Sequence, residues 1–177
     1  NAVMRPLTQL QAQGVTFDRI PCAPDGTLDT TAMEGLLRPN TRAVVMLHAS
    51  NVCGTVLLAG EVGAFCHAHG LKFILDTAQT AGVLPIDMEA MHIDVVCFTG
   101  HKGLYGPQGT GGLCIREGVE IRPFKLGGTG IHSYDREQPQ EYPARLEAGT
   151  LNTHGIAGLH AALEFIEKVG VSTIGAH

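Results

Sequence analysis

The stretch "KFILD", residues 72–76, decides the fold, because it is an apolar run of strand length that ends in a carboxylate. Two similar runs flank it in the chain, "AVVMLH" (43–48) and "DVVCF" (94–98). Continuous apolar runs are typical of strands buried on both faces of a parallel sheet. The run "GLCIR" (112–116) predicts a fourth strand, and "VTFDRI" (15–20) is a further candidate.

Helical patterns separate these runs. The segment "TTAMEGLL" (30–37) predicts a short helix that Asp29 can cap. The segment "LAGEVGAFCHAHG" (58–70) predicts a second helix that ends at its glycine, and "HGIAGLHAALEFIEKVG" (154–170) an amphipathic third. Strands that alternate with helices predict an α/β fold of three layers, α/β/α, around a mostly parallel central sheet. Residues 117–153 are rich in Gly, Pro and charge, and we expect them to be irregular.

The composition indicates one ordinary globular domain. The chain has 177 residues, of which 44% are hydrophobic and 16% charged, with a net charge of −5. This balance argues against disorder and against nucleic acid, which requires a basic face. No apolar run reaches the roughly 20 residues of a membrane span. The five cysteines are scattered without a C-x-x-C pair, so we expect reduced thiols in a cytoplasmic protein rather than disulfides or a zinc site.

Polar residues follow each of the three buried runs. They occupy positions 48–51, 76–79 and 99–102. Ligands of open α/β sheets bind beyond the carboxyl ends of the strands. A polar loop start explains any one of these segments, but the three together predict a site. His48 has no assignable role there and is expected to be a packed histidine.

Lys102 is the first candidate for chemistry. It is one of four lysines, and it alone lies between a buried strand and a glycine-rich loop. A partly desolvated lysine becomes a nucleophile suited to Schiff-base chemistry. A lysine that neutralises a phosphate or a carboxylate fits the same position, and position alone leaves both interpretations open.

Asp76 supplies the second part of the pattern. A carboxylate at the end of a buried strand is costly without a cationic partner. Pyridoxal phosphate (PLP) sites pair a Schiff-base lysine with an acidic partner of the pyridine nitrogen. Capping of the following segment by Asp76 is the alternative. Thr99 and His101 flank Lys102 and are suited to donate to a phosphate, and "LGGTGIHS" (126–133) is either a second anion-binding turn or a flexible one.

Five motifs together resemble one enzyme family. They resemble the cysteine desulfurase and selenocysteine lyase branch of the class V aminotransferases, PLP-dependent enzymes of fold type I. The motifs occur in the family's order and extend over essentially the whole chain: "HASNVCGT" (48–55), "LDTAQTAGVLPID" (75–87), "FTGHKGLYGPQGTGGL" (98–113), "GGTG" (127–130) and "RLEAGTLNTHGIAGL" (145–159).

The resemblance implies a role for each residue around the cofactor ring. Lys102 would form the Schiff base with PLP, and Asp76 would pair with the pyridine nitrogen. Asn51 and Gln79 would form hydrogen bonds around the ring's phenolic oxygen.

The resemblance also implies how the phosphate is held. Thr99 and His101 would bind the phosphate, and Thr129 would reach the phosphate of the neighbouring subunit in a homodimer. The implied reaction removes sulfur from cysteine, or selenium from selenocysteine, to give alanine, with a sulfur-acceptor protein as a further partner. Transamination, another β-eliminating lyase reaction, and an inactive fragment are the alternatives. No metal site is expected, because Cys66 and His69 are too few ligands for zinc.

The resemblance further predicts that residues 1–177 are part of a PLP-binding large domain. The start of that domain and the small C-terminal domain would lie outside the chain. The arginine that binds the substrate carboxylate and the cysteine that accepts sulfur would lie there as well. None of the five cysteines present matches the sulfur-accepting one, and Cys53, which lies nearest to the predicted site, is expected to be a packed side chain.

Overall fold

A computed structural model describes residues 1–132 and 134–177. Its sheet has four strands in the order β1-β2-β3-β4: β1 (Ala43–Leu47), β2 (Lys72–Asp76), β3 (Val95–Thr99) and β4 (Gly111–Ile115). The first three strands are parallel, and β4 is antiparallel to β3. The α/β class and the mostly parallel sheet are therefore confirmed.

The antiparallel orientation of β4 follows from the length of its connection. Residues 100–110 join β3 to β4 without a helix. Parallel neighbours require a crossover of a dozen or more residues, usually helical, to return the chain to the same end of the sheet. The shorter connection turns the chain back on itself, and this turn contains Lys102.

Five α-helices accompany the sheet in the described ranges: α1 (Met4–Gln11), α2 (Met33–Leu36), α3 (Ala59–Ala68), α4 (Thr153–Val169) and α5 (Val171–Gly175). A 3-10 turn, Thr30–Ala32, precedes α2, and Asp29 accepts a hydrogen bond from the Thr31 amide, as a capping residue does. The predicted helices over 30–37, 58–70 and 154–170 are confirmed, whereas α1 and α5 were not predicted. None of the helices in the described residues is both long and apolar enough to cross a membrane.

The hydrophobic core lies on one face of the sheet, beneath α3. Met46 of β1 and the side chains of Phe73 and Leu75 of β2 are buried there. Val62 and Cys66 of α3 pack against the same cluster and are fully buried. Through this cluster, α3 packs against one face of β2.

The prediction that β1 is buried on both faces was wrong. Met46 is buried, but Val45 and Leu47 on the opposite face are 37% and 42% exposed. β1 is the edge strand of the sheet, and α3 covers only one of its faces. An apolar run of this length therefore does not by itself show that both faces are covered.

The prediction of a strand over residues 15–20 was also wrong. The segment forms no ladder with any strand of the described sheet. Val15 instead bonds back to the end of α1, with its amide donating to the Leu10 carbonyl at 3.2 Å. Between residue 117 and the start of α4 at Thr153, the described part contains one regular element, the 3-10 turn Ala144–Leu146, as the irregular composition predicted.

Two glycines of α3 provide a test of this packing. A methyl group added at Gly63 would overlap the Met91 carbonyl oxygen, whereas one at Gly60 would have no heavy atom within 4 Å. We expect Gly63→Ala to lower the free energy of unfolding by about 2 kcal/mol through overpacking. We expect Gly60→Ala to raise it by about 0.5–1 kcal/mol, because alanine is the better helix former. Urea denaturation of both variants measures this difference, and equal shifts would contradict the packing described.

Candidate active site

The carboxyl ends of β1, β2 and β3 lie side by side. Leu47, at the end of β1, is in register with Asp76, at the end of β2. Asp76 is in turn in register with Cys97 of β3, two residues before Thr99. Because side chains alternate along a strand, Asp76, Cys97 and Thr99 share one face of the sheet. This register brings the polar segments that follow β1, β2 and β3 to one edge of the sheet, as the sequence predicted.

Asp76 has one committed and one free carboxylate oxygen. Its Oδ1 accepts a hydrogen bond from the Ala78 amide at 2.9 Å. Within the described residues, Oδ2 makes no hydrogen bond or ion pair. The side chain is half-buried. The two interpretations left open by the sequence are thus compatible: one oxygen caps the turn, and the other can accept from a cation.

Asp76 also affects its neighbour on β3. Burial raises the pKa of the Cys97 thiol, and the negative charge of Asp76 raises it further. The Cys97 thiol therefore stays protonated at neutral pH and is a packing group. Asp76 is in register with Cys97 and therefore lies beside β3, the strand that leads to Lys102.

Gln79 lies on a turn that is anchored to β3. The Thr77 amide and hydroxyl both donate to the Cys97 carbonyl, at 2.8 Å and 3.0 Å. The Thr80 amide donates back to the Thr77 carbonyl at 2.9 Å, which closes the turn. Gln79 is half-buried between these two threonines. The sequence did not predict a role for either threonine, because the hydroxyl partners, the Cys97 carbonyl for Thr77 and the His48 side chain for Thr80, are distant in the chain.

His48 contacts the same turn from the other side. It is buried, as a packed histidine was expected to be, and its Nδ1 lies 3.0 Å from Thr80 Oγ1. Burial lowers the pKa of His48, so the imidazole is neutral at neutral pH. The contact with Thr80 was not predicted, because the two residues are 32 positions apart in the sequence.

Lys102 lies on a tight turn with its side chain exposed. Its carbonyl accepts from the Tyr105 amide at 2.9 Å, and the Gly106 amide donates to the Gly100 carbonyl at 2.7 Å. Tyr105 has a φ of 56°, the left-handed conformation that such a turn requires. Across the described ranges, no carboxylate forms an ion pair with the Lys102 amine. The amine is therefore available to a ligand.

Glycines bring the Lys102 turn against the turn that follows β2. A Cβ at Gly82, where φ is +81°, would overlap the Gly103 carbonyl. A Cβ at Gly103 would lie 2.6 Å from the Ala81 carbonyl oxygen and 2.6 Å from a methyl group of Val83. In the structure, these two glycines allow two backbone turns to touch each other.

Thr99 and His101 form a pair beside Lys102. Thr99 Oγ1 lies 2.9 Å from His101 Nδ1. Thr99 is half-buried at the end of β3, and His101 is exposed. The two predicted phosphate ligands are thus adjacent, with the imidazole Nε2 of His101 uncommitted in the described residues.

Asn51 lies on a small hairpin that follows β1. An isolated bridge joins Ala49 to Val56, and the Ser50 amide donates to the Thr55 carbonyl at 2.9 Å. Asn51 is exposed near the tip of this hairpin. The hairpin starts from the end of β1, so Asn51 is attached to the same edge of the sheet as Asp76.

Thr129 is not joined to the other candidates by any contact of the described residues. Its hydroxyl donates to the Ile131 carbonyl at 3.1 Å. The neighbouring Gly128 carbonyl accepts from the Gly149 amide at 2.7 Å, which ties this irregular segment to the stretch before α4. A role for Thr129 in the site of this same chain therefore has no support here.

The donor and acceptor set of the edge fits PLP. A primary amine without an ion pair in the described ranges, Lys102, suits attachment of an aldehyde, and a free carboxylate oxygen, on Asp76, suits a protonated ring nitrogen. Thr99 and His101 offer donors for a phosphate next to that amine. The edge is open to solvent at Asn51, His101 and Lys102.

Cys53 lies near the tip of the Asn51 hairpin, where its thiol is exposed and accepts hydrogen bonds from neighbouring hydroxyl groups. The hydroxyl groups of Ser50 and then Thr55 lower its pKa to about 7. Thr55 Oγ1 also contacts the Asp25 carbonyl, and a hydroxyl carries a single proton. Ser50 is therefore the better donor to test. Cys53 was expected to be a packed side chain, and its exposure shows that this prediction was wrong.

We expect Cys53 to be alkylated by iodoacetamide at pH 7 faster than buried Cys66, whose pKa burial raises to about 12. Ser50→Ala should slow the reaction of Cys53 about fivefold, because the thiolate fraction falls. Mass spectrometry of timed samples measures both rates, and Ser172→Ala is a control in which an exposed serine away from Cys53 is removed. Unchanged reactivity in Ser50→Ala would contradict this assignment.

The chain is similar to known proteins over its whole length. A family model described as aminotransferase class-V matches residues 1–177. A probable cysteine desulfurase of Methanothermobacter thermautotrophicus is 35% identical over 97% of this chain and 44% of its own length. A cysteine desulfurase of Escherichia coli O8 is 39% identical over 93% of this chain and 41% of its own length. The chain thus spans less than half the length of these curated relatives.

Solved structures agree with the sequence relatives. The apo structure of a cysteine desulfurase from Thermococcus onnurineus superposes with a TM-score of 0.89 at 32% identity, over 99% of this chain and 44% of that one. The cysteine desulfurase CsdA of Escherichia coli gives a TM-score of 0.86 at 31% identity, over 97% and 44%. From the match over every residue and these superpositions, the chain belongs to the aminotransferase class-V family.

Proposed function

We propose that the protein is a PLP-dependent enzyme of the cysteine desulfurase type. One observation carries this proposal: two adjacent parallel strands lead to an amine, on Lys102, and to a carboxylate oxygen, on Asp76, and neither group has a polar partner among the residues that the structure describes. A lysine that merely neutralised a phosphate would not require a carboxylate at the end of the neighbouring strand. The pair therefore favours the Schiff-base interpretation that position alone left open.

Lys102 would hold the cofactor covalently, and Asp76 Oδ2 would accept a hydrogen bond from its ring nitrogen. When bound, PLP draws electrons from the bonds of a substrate's α-carbon. Asp76 keeps the ring nitrogen protonated, because a carboxylate close to a cation stabilises the charged form. Its orientation is set by the bond from Ala78 to Oδ1.

The surrounding polar residues would orient the cofactor. Gln79 and Asn51 would form hydrogen bonds near the ring's phenolic oxygen, and Thr99 with His101 would hold the phosphate. Thr129, whose hydroxyl bonds within its own turn to the Ile131 carbonyl, would serve the phosphate of a second subunit in a homodimer. The open edge at Asn51, His101 and Lys102 is consistent with a site completed by further protein.

The proposed substrate is cysteine. The relatives from two organisms are named cysteine desulfurases, and a further similar structure, 29% identical, was solved in complex with cysteine. Lys102 Nζ, once released by the substrate amine, would take the α-proton. The thiolate of an acceptor would attack the substrate sulfur, so that an S–S bond forms and the bond between the β-carbon and sulfur breaks. The electron pair of that broken bond would stay with the substrate, and protonation of its α- and β-carbons would give alanine.

Residues 1–177 would be part of a larger cofactor domain, as the 41–44% coverage of the relatives suggests. A sulfur-acceptor protein and a cytoplasmic location belong to the same proposal. The whole protein would supply the groups that recognise the substrate carboxylate and accept sulfur. All of the following experiments therefore use the full-length protein.

The cofactor assignment predicts the behaviour of two variants. Wild-type protein mixed with PLP should develop the visible absorbance band of a lysine-bound cofactor, and Lys102→Ala should lack it. Asp76→Asn should keep the band but lower kcat/KM about 10- to 100-fold, because a charge-assisted hydrogen bond is lost. Lys168→Ala, at the exposed end of α4, is the matched control and should behave as wild type. A normal band in Lys102→Ala would contradict the assignment.

The reaction type is tested by the products formed from cysteine. We expect alanine and enzyme-bound or released sulfur in equal amounts, with PLP in catalytic quantity. Amino-acid analysis and a sulfide assay after reduction measure both. A keto acid with transfer of the amino group would instead indicate an aminotransferase, and pyruvate with ammonia a β-eliminating lyase.

A further inference from the structure

We propose that His48 is a positioning residue of this site, which acts through Thr80 to hold the turn that presents Asp76 and Gln79 to the cofactor. This inference rests on the proposed function. It concerns a buried histidine for which the PLP chemistry described above has no direct use.

His48 joins three segments of the edge. It directly follows β1, and its amide donates to the Asp76 carbonyl at 2.8 Å. Its own carbonyl accepts from the Leu57 amide at 2.8 Å, which ties the return of the Asn51 hairpin to the same point. Its side chain contacts the end of the following turn, where Nδ1 lies 3.0 Å from Thr80 Oγ1. The backbone bonds are available to any residue, but the side-chain bond is specific to histidine or a close analogue.

The turn between Asp76 and Thr80 is clamped at both ends. On one side, Thr77 bonds to the Cys97 carbonyl of β3 with both its amide and its hydroxyl. On the other side, Thr80 bonds to His48, beside β1. The site residues Asp76 and Gln79 lie inside this clamp. Loss of either clamp would let the turn rotate relative to the strand that leads to Lys102.

Both partners of the His48–Thr80 bond are buried, so water cannot replace either of them. His48 is 5% exposed and Thr80 is 2% exposed, so neither side chain can exchange its partner for bulk water. A buried polar group left without its partner loses more than an exposed one does. If one partner is removed, the other is left without a hydrogen bond and is expected to move. Because Thr80 ends the turn that begins at Asp76, this turn would move with it.

The test uses full-length protein and two substitutions at Thr80. Thr80→Val preserves the shape and removes only the hydroxyl, whereas Thr80→Ser keeps the hydroxyl. We expect Thr80→Val to weaken PLP binding about tenfold, as measured by absorbance titration, and to shift the pH at which the visible absorbance of the loaded protein changes. Thr80→Ser should stay within about twofold of wild type. A double-mutant cycle with His48→Leu should show that the two losses are not additive.

Lys72→Met is the control for stability. It breaks the ion pair of 3.2 Å between Lys72 and buried Asp94 at the opposite edge of the sheet. It should lower thermal stability without a change in PLP affinity or in the absorbance midpoint. The inference is overturned if Thr80→Val binds PLP as wild type does, or if Lys72→Met weakens binding equally. Failure of the wild-type protein to bind PLP would overturn the proposed function itself, and this inference with it.

Discussion

The contact between Gly82 and Gly103 constrains everything else at the carboxyl edge of the sheet. Gly82 belongs to the chain that leaves β2 after Asp76, and Gly103 directly follows Lys102. Their backbones approach so closely that a side chain on either one would overlap the other turn. The loop after β2 thus packs directly against the loop after β3. This contact fixes the end of β2, which carries Asp76, relative to the turn that carries Lys102. The proposed pairing of Asp76 and Lys102 around one ring depends on this contact more than on any bond of the two side chains themselves.

Around this contact, the edge is organised by bonds between backbone and buried polar side chains. Thr77 fixes the turn to β3, and His48 approaches it from β1 through Thr80. Asp76 therefore does not need a rigid salt bridge to keep its orientation, and its Oδ2 has no hydrogen-bond partner within residues 1–132 and 134–177. Such preorganisation is what a cofactor site requires, since the cost of orienting the binding groups is met during folding.

Periodicity and strand-end polarity were sufficient to predict the sheet edge and most of its residues. "KFILD" is a strand over the predicted residues, and Asp76 and Thr99 end their strands on one face as parallel register requires. Other features depend on contacts between residues that are distant in the sequence, so a local sequence pattern does not predict them. The exposed face of β1, with Val45 and Leu47, depends on which helices cover it, and the bond from His48 to Thr80 depends on strand order. The contact between Gly82 and Gly103 likewise joins two separate loops, so the sequence does not show that these backbones approach each other.

The central claim is that Lys102, alone among the four lysines, binds PLP covalently. Borohydride reduction of the PLP-loaded full-length protein makes such a bond permanent, and peptide mapping by mass spectrometry then locates the added group. We expect one phosphopyridoxyl group per chain, on the peptide that contains His101 and Lys102. Labelling of Lys72, Lys125 or Lys168 in its place, or no stoichiometric labelling, would contradict it.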